Sequence, residues 1–205
     1  MKLFLASRAN GSLDLVLPLL PDKPQKLKIA HITTAANPYT IDNRPWLDQN
    51  KSKLIELGFK LTSYDLVGKN LRDLRHDLPL FDVIYVEGGN VFYLLNEIKK
   101  SGFDIALKEL LLKGIVYIGS SAGSMIMGPD LNYLLTVDDP SVVPELTDFT
   151  SLGYIKERIV PHAGRDKYKE RHEKIRKEWG DKIFLLRDDQ ALVVNDDKIE
   201  IQSLP

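Results

Sequence analysis

The chain has no cysteine in its 205 residues, which excludes disulfides, thiolate metal sites and a thiol nucleophile from its chemistry. An excess of either charge is also missing. The 28 lysines and arginines against 29 acidic residues leave a formal charge of -1, without the basic surplus expected of a nucleic-acid binder. Long apolar runs are absent too. The run at residues 1–6 stops at Ser7, Arg8 and Asn10, too short for the core of a signal peptide, and Pro18 and Pro21 break residues 13–20. Nothing reaches the length of a membrane span, so no membrane partner is expected and the cytoplasm is the expected location. Repeats, low-complexity tracts and linkers are lacking as well, so residues 1–205 are expected to form one domain.

What remains is a soluble globular composition, 43% hydrophobic and 28% charged, with an alternation of strand-like and helix-like segments. Residues 2–6, 27–33, 61–66, 82–86 and 115–118 read as buried strands. Residues 91–100 and 103–113 carry apolar side chains at helical spacing, with Ser101-Gly102 and Gly114 as breaks. Such a series predicts an α/β fold with a mostly parallel sheet covered on both faces. Residues 131–158 look like a long excursion suited to substrate-facing loops. Beyond it come an expected strand at 158–161, a charged helix at 165–180, and strands at 183–186, 191–195 and 198–201, the last two joined as a hairpin.

The most informative stretch is Gly119-Ser120-Ser121-Ala122-Gly123, a G-x-S-x-G between a strand-like run and a helix-compatible segment. A serine at a sharp strand-to-helix turn has its hydroxyl lifted clear of the sheet, and small neighbours let a base and a substrate carbonyl approach. Ser121 is therefore the candidate nucleophile, and histidine is its usual base. Of the four histidines, His31 lies in an apolar strand and His76 in a charged segment. His172 shares a helical stripe with Tyr168, Ile175 and Trp179, which predicts packing rather than chemistry. His162 follows residues 158–161 at the carboxyl end of a strand, the edge at which open α/β sheets bind ligands, and is the candidate base. Asp188, at the end of the strand 183–186, is the candidate third member. Asp189 would point to the opposite face, so the choice rests on one residue of register. Glu87-Gly88-Gly89-Asn90, between a strand and a helix start, offers backbone N–H groups for an oxyanion hole, with the Ala122 N–H as the second donor.

The order Ser121, His162, Asp188 differs from that of the α/β-hydrolases, where the acid precedes the histidine. That order, with Val-Glu-Gly-Gly-Asn-Val-Phe-Tyr-Leu-Leu at 86–95, Gly-Ser-Ser-Ala-Gly-Ser at 119–124, Leu-Gly-Tyr-Ile at 152–155 and Pro-His-Ala at 161–163, resembles the S51 peptidases, the family of dipeptidase E and cyanophycinase. The resemblance spans nearly the whole chain. It implies a fold similar to class I glutamine amidotransferase domains, a flavodoxin-like three-layer sandwich with serine in place of their cysteine. It also implies hydrolysis after an N-terminal aspartate in dipeptides or short peptides, with no cofactor and no metal, by a monomer or homodimer. Carried over by residue, it makes Ser121 the nucleophile, His162 the base, and Gly88 with Ala122 the oxyanion donors, Gly89 beside them. Asp188 stands where the family generally has glutamate, which shortens the carboxylate arm by one methylene.

Asn90 and Asp138 join the implied substrate contacts, Asp138 resembling the family's aspartate after the elbow or else marking a solvated turn. A substrate carboxylate calls for a fixed arginine, and residues 164–179 offer Arg165, Arg171 and Arg176. Arg171 lies about 100° round the helix from His172, and the resemblance implies that it grips the aspartyl side chain. The alternative for Arg171 is an ion pair on a solvated face. The alternatives to the whole reading are a different aspartyl or β-aspartyl linkage, or a binding homologue without turnover.

Overall fold

Short, mostly apolar runs become strands, and those inside the sheet are buried on both sides. In the computed structural model, which describes residues 1–136, 138 and 140–204, these strands are β1 (Lys2–Ala6), β2 (Lys28–Ile32), β3 (Lys60–Tyr64), β4 (Val83–Val86) and β5 (Val116–Ser120). They lie in the order β3-β2-β4-β5-β1, all parallel. The edge strand β3, expected as a buried strand over 61–66, is instead mostly polar and largely exposed. Alternate side chains feed two cores. Leu3, Leu5, Ile84, Val86 and Tyr117 point to one face, and Phe4, Ala6, Val83, Tyr85, Val116 and Ile118 to the other. Helices α1 (Ala9–Ser12) and α2 (Pro45–Glu56) cover the second face, together with the 3-10 segment Leu13–Leu19. The first is covered by α3 (Leu71–Asp77), α4 (Val91–Ser101) and α5 (Phe103–Leu112). The expected α/β architecture, a mostly parallel central sheet flanked by helices, is what the chain forms.

The remaining chain departs from a simple alternation. After β5 a short α6 (Ala122–Met125) leads into the excursion; Val137 and Asp139 within it, and Pro205, lie outside the described residues. β6 (Arg158–Ala163) and β7 (Ile183–Arg187) do not join the main sheet but pair with each other as a separate parallel ribbon. Ile159, Val160 and Leu186 still pack into the first core, so the ribbon is fastened by side chains rather than by a shared ladder. Between them the expected helix 165–180 is a 3-10 turn, Asp166–Tyr168, followed by α7 (Lys169–Trp179). β8 (Gln190–Asn195) and β9 (Lys198–Ser203) close the sheet as an antiparallel hairpin beside β1. Asp196 takes the left-handed conformation at φ 54° that its two-residue loop requires.

Helices α1 to α3 were outside the reading of the sequence. Asn50 and Leu54 are the buried residues of α2, so its apolar stripe is nearly invisible, whereas α3 does carry a capping box between Asn70 and Asp73. β5 runs to Ser120 rather than Ile118, because pairing with both β4 and β1 continues through residues too small to show a pattern. Among the described residues no helix is long and apolar enough to cross a membrane.

One side chain couples the sheet to the turn beyond it. The Tyr117 hydroxyl, fully buried, donates to the Gly123 carbonyl at 2.6 Å. Tyr117→Phe removes that donor and leaves the carbonyl unpaired in the core, so a loss of about 1–3 kcal/mol is expected in urea unfolding. A change below about 0.5 kcal/mol would show that the turn does not depend on it.

Candidate active site

The elbow at the end of β5 is set by backbone contacts that exclude any side chain. A Cβ on Gly119 would lie 2.5 Å from the Gly123 carbonyl oxygen, and one on Gly123 would lie 2.2 Å from that of Val86 at the end of β4. Ser121 between them adopts φ 47° and ψ -106°, a conformation costly for a residue with a side chain. It is held by β1. The Ser121 N–H donates to the Ala6 carbonyl at 3.0 Å, and the Ser124 hydroxyl donates to the same oxygen at 2.7 Å.

The three residues expected to act together do meet. Ser121 Oγ lies 3.2 Å from His162 Nε2, and His162 Nδ1 lies 2.7 Å from Asp188 Oδ1. His162 sits in an irregularity of β6 between Val160 and Ala163, at φ 66°. Its own N–H donates to the Ser7 hydroxyl at 2.7 Å, and that hydroxyl donates to Asp188 Oδ1 at 3.2 Å. Arg165 Nε donates to Asp188 Oδ2 at 2.5 Å, and its Nη2 contacts the same oxygen. Burial pushes the Asp188 carboxyl up, but His162 and Arg165 outweigh it and hold the group at about 2. Asp189 turns away to an exposed pair with Arg187, Nη2 to Oδ2 at 2.9 Å, so the register favours Asp188.

The turn Gly88-Gly89 differs from expectation in one donor. The Gly88 N–H donates to Glu87 Oε2 at 3.1 Å. The same buried carboxyl accepts from Asn50 Nδ2 at 2.9 Å and lies 2.9 Å from His31 Nε2. The Gly88 N–H is thus engaged by Glu87, while Gly88 itself packs against Ser121 and lines the cavity beside it. Among the described residues the N–H groups of Gly89 and Ala122 have no protein acceptor, and both Gly89 and Ser121 line the cavities at the site.

Two cavities open from Ser121 and His162. One, of about 230 Å³, is lined by Asn90, Asp138, Arg171 and His172, with Tyr39 and Tyr168 at the wall it shares with the other, of about 460 Å³. Arg171 is neither free nor on a solvated face. Its Nη1 donates to Asp138 Oδ1 at 2.7 Å and its Nη2 lies 2.5 Å from Oδ2, a bidentate pair. Burial raises the Asp138 carboxyl, and Arg171 opposes the shift. Asn90 Oδ1 is committed to the Tyr93 N–H as the cap of α4. His172 is only half-buried and lies beside Arg171, with its ring 5.8 Å from Tyr168, so it belongs to the cavity wall rather than to the core. Burial and the Arg171 charge lower its pKa, against a backbone contact with Pro161 that raises it.

Ser7 and Tyr168 were missed as site residues, and Arg165, considered only as a partner for a substrate carboxylate, instead holds Asp188. Ser7 directly follows β1, at the same carboxyl edge as Ser121, and that placement was the available signal. Tyr168 stacks on His162, ring centroids 5.4 Å apart. Among the described residues no cluster of three or more histidine, aspartate or glutamate side chains could hold a metal ion.

The model of peptidase family S51 matches residues 3–202. An uncharacterised peptidase of Pasteurella multocida is 30% identical over 198 residues, 96% of this chain and 94% of its own. One from Listeria monocytogenes is 29% identical over 182 residues, 87% of this chain and 89% of its own. The 1.5 Å crystal structure of a protein provisionally named Peptidase E, from Listeria monocytogenes EGD-e, superposes with a TM-score of 0.92 at 27% identity, covering 100% of this chain and 98% of that one.

The depressed Asp188 pKa links the site to acid stability. A carboxyl whose value falls from 3.8 to about 2 on folding stabilises the native state above about pH 4, and that contribution is lost as pH falls through about 2. Stability measured by urea unfolding from pH 5 to pH 2 should fall less steeply in Asp188→Asn than in the unsubstituted protein. Parallel curves would show that Asp188 has an ordinary carboxyl.

Proposed function

The chain belongs to peptidase family S51, and from that premise we propose that it is a serine peptidase releasing an N-terminal aspartate from dipeptides and short peptides, its residues 1–205 acting as one catalytic domain in the cytoplasm. The observation that carries this is the relay from Ser121 through His162 to Asp188, at 3.2 and 2.7 Å, beside a cavity whose charged lining includes Arg171 and Asp138.

In this reading Ser121 Oγ attacks the aspartyl carbonyl carbon while His162 Nε2 takes the hydroxyl proton. The carbonyl oxygen becomes negative and is received by the Gly89 and Ala122 N–H groups, the latter at the start of α6. Asp188 holds Nδ1–H and stabilises the imidazolium that forms; Arg165 and Ser7 hold Asp188. The tetrahedral intermediate collapses as His162 gives its proton to the leaving amine, leaving an ester on Ser121. Water, deprotonated by the same histidine, then hydrolyses that ester and frees aspartate.

Substrate choice follows from charge. An N-terminal aspartyl residue brings one ammonium and one side-chain carboxylate, and the cavity offers one carboxyl and one guanidinium already paired with each other. Entry of the substrate exchanges partners, Arg171 for the side-chain carboxylate and Asp138 for the ammonium, so no charge is left unpaired in a half-buried place.

Ser121→Ala should reduce kcat by about 10⁴-fold or more and abolish labelling by a fluorophosphonate, with the fold retained. His162→Ala should cost about as much, and the double variant little more, because the two act as a unit. Additive losses would remove His162 from the role of base. Asp188→Asn should be far more damaging than Asp189→Asn, and the reverse order would overturn the triad.

Arg171→Ala should lower kcat/KM for Asp-Leu relative to Asn-Leu by about 2–4 kcal/mol. If labelled, active protein cleaves no aspartyl peptide, or if the variant keeps the same preference, the aspartyl specificity fails while the serine peptidase reading stands.

A further inference from the structure

We propose that the larger cavity, on the Trp46 side of Ser121, is a leaving-group subsite that binds a free C-terminal carboxylate, with Arg8 and Lys167 as its cations. The inference rests on the reading that the Arg171 cavity takes the aspartyl residue. A peptide bond held at Ser121 then sends its amine side into the other cavity. His162, on the wall of both, is placed to protonate that amine.

The lining of this cavity has a chemistry of its own. Its volume is about 460 Å³ against about 230 Å³ for the first, and its charged residues are all basic: Arg8, Arg165 and Lys167. Arg165 is engaged by Asp188. The other two have no carboxylate partner among the described residues. Arg8 Nη2 donates to the neutral Gln49 Oε1 at 2.7 Å, and Lys167 Nζ lies 4.5 Å from the centre of the Tyr168 ring. Elsewhere many such cations are matched, Arg75 with Glu109, Arg158 with Asp130 and Arg187 with Asp189. Two unmatched cations beside a candidate nucleophile form a site for an anion. Pro45 and Trp46 add an apolar wall, and the indole is fixed because its Nε1 donates to the Gly88 carbonyl at 3.3 Å. Cations with an apolar wall fit an amino acid that presents a free carboxylate and a hydrophobic side chain.

The test compares Asp-Leu with Asp-leucinamide, which differ in that carboxylate alone. The unsubstituted enzyme should favour Asp-Leu by about tenfold or more in kcat/KM, the size expected of a charge-assisted contact. In Arg8→Gln and Lys167→Gln the ratio should fall toward one, with part of it kept in Arg8→Lys. A ratio near one in the unsubstituted enzyme, or losses that run in parallel for both peptides, overturns the proposal. Lys167 is exposed, so its variant reports even if Arg8→Gln fails to fold. A second arm does not depend on turnover: ligand-observed NMR should detect leucine binding more strongly than leucinamide, with the difference reduced in both variants. If aspartyl peptides are not cleaved but leucine shows this pattern, the aspartyl reading fails and the subsite stands. If leucine and leucinamide bind alike, the subsite fails whatever the enzyme cleaves.

Discussion

The site depends on how closely the backbone of α6 approaches the ends of β4 and β5. Gly123 packs against the Val86 carbonyl and Gly119 against the Gly123 carbonyl, at distances no Cβ could occupy. With both neighbours pressed to the sheet, the turn from strand to helix falls on Ser121 alone, which takes φ 47° and lifts its hydroxyl. Such a conformation costs on the order of 1–3 kcal/mol. Hydrogen bonds from Ser121 and Ser124 to Ala6, and from Tyr117 to Gly123, offset it inside the core. The end of β1 therefore fixes Ser121, and the next residue, Ser7, carries that placement on to His162.

His162 is the second residue held at positive φ, and its constraint is of another kind. The irregularity in β6 has no glycine to ease it at His162; the main-chain N–H is tied to Ser7, which is tied in turn to Asp188. The main chain and ring of His162 are thus held from two other elements, by Ser7 after β1 and by Asp188 after β7. The shorter arm of aspartate fits this arrangement, since the donors converge on it: His162, Ser7 and Arg165 approach one carboxylate from different directions. A carboxylate so surrounded stays ionised, and an ionised one fixes the imidazole tautomer.

Much of this was legible before the structure, for identifiable reasons. Buried parallel strands are mostly apolar on both faces, so β1, β2, β4 and β5 stood out, and the two-residue Asp196-Asp197 turn marked the β8–β9 hairpin. The elbow was legible because close backbone approach demands glycine. The amphipathic signal of α2 was not, because a half-polar helix with Asn50 and Leu54 as its buried residues has almost no stripe. That β6 and β7 leave the sheet is a long-range fact about which strands share a ladder, and local patterning carries none of it. Arg171 was legible as a residue near the site, but its bidentate pairing with Asp138 joins residues 33 apart across the excursion. His172 was misplaced because helical spacing fixes a face, not what covers that face.

Glu87 shows how a residue with no apparent place in the chemistry can shape it. A carboxyl group buried at the end of β4 is costly unless every oxygen is satisfied, and here the donors come from α2 through Asn50, from the turn through the Gly88 N–H and from β2 through His31. His31 Nδ1 has no acceptor among the described residues, so its proton belongs on Nε2, facing Glu87. With the Gly88 N–H committed to Glu87, the N–H of Gly89 is the one in this turn without a protein acceptor among the described residues. The Trp46 indole holds the Gly88 carbonyl at the same time, so the two successive peptide groups on either side of the Gly88 Cα are both gripped. The double glycine thus gains its orientation from the glutamate before it: flexible residues supply close approach, and a buried acceptor removes the freedom that would otherwise come with them.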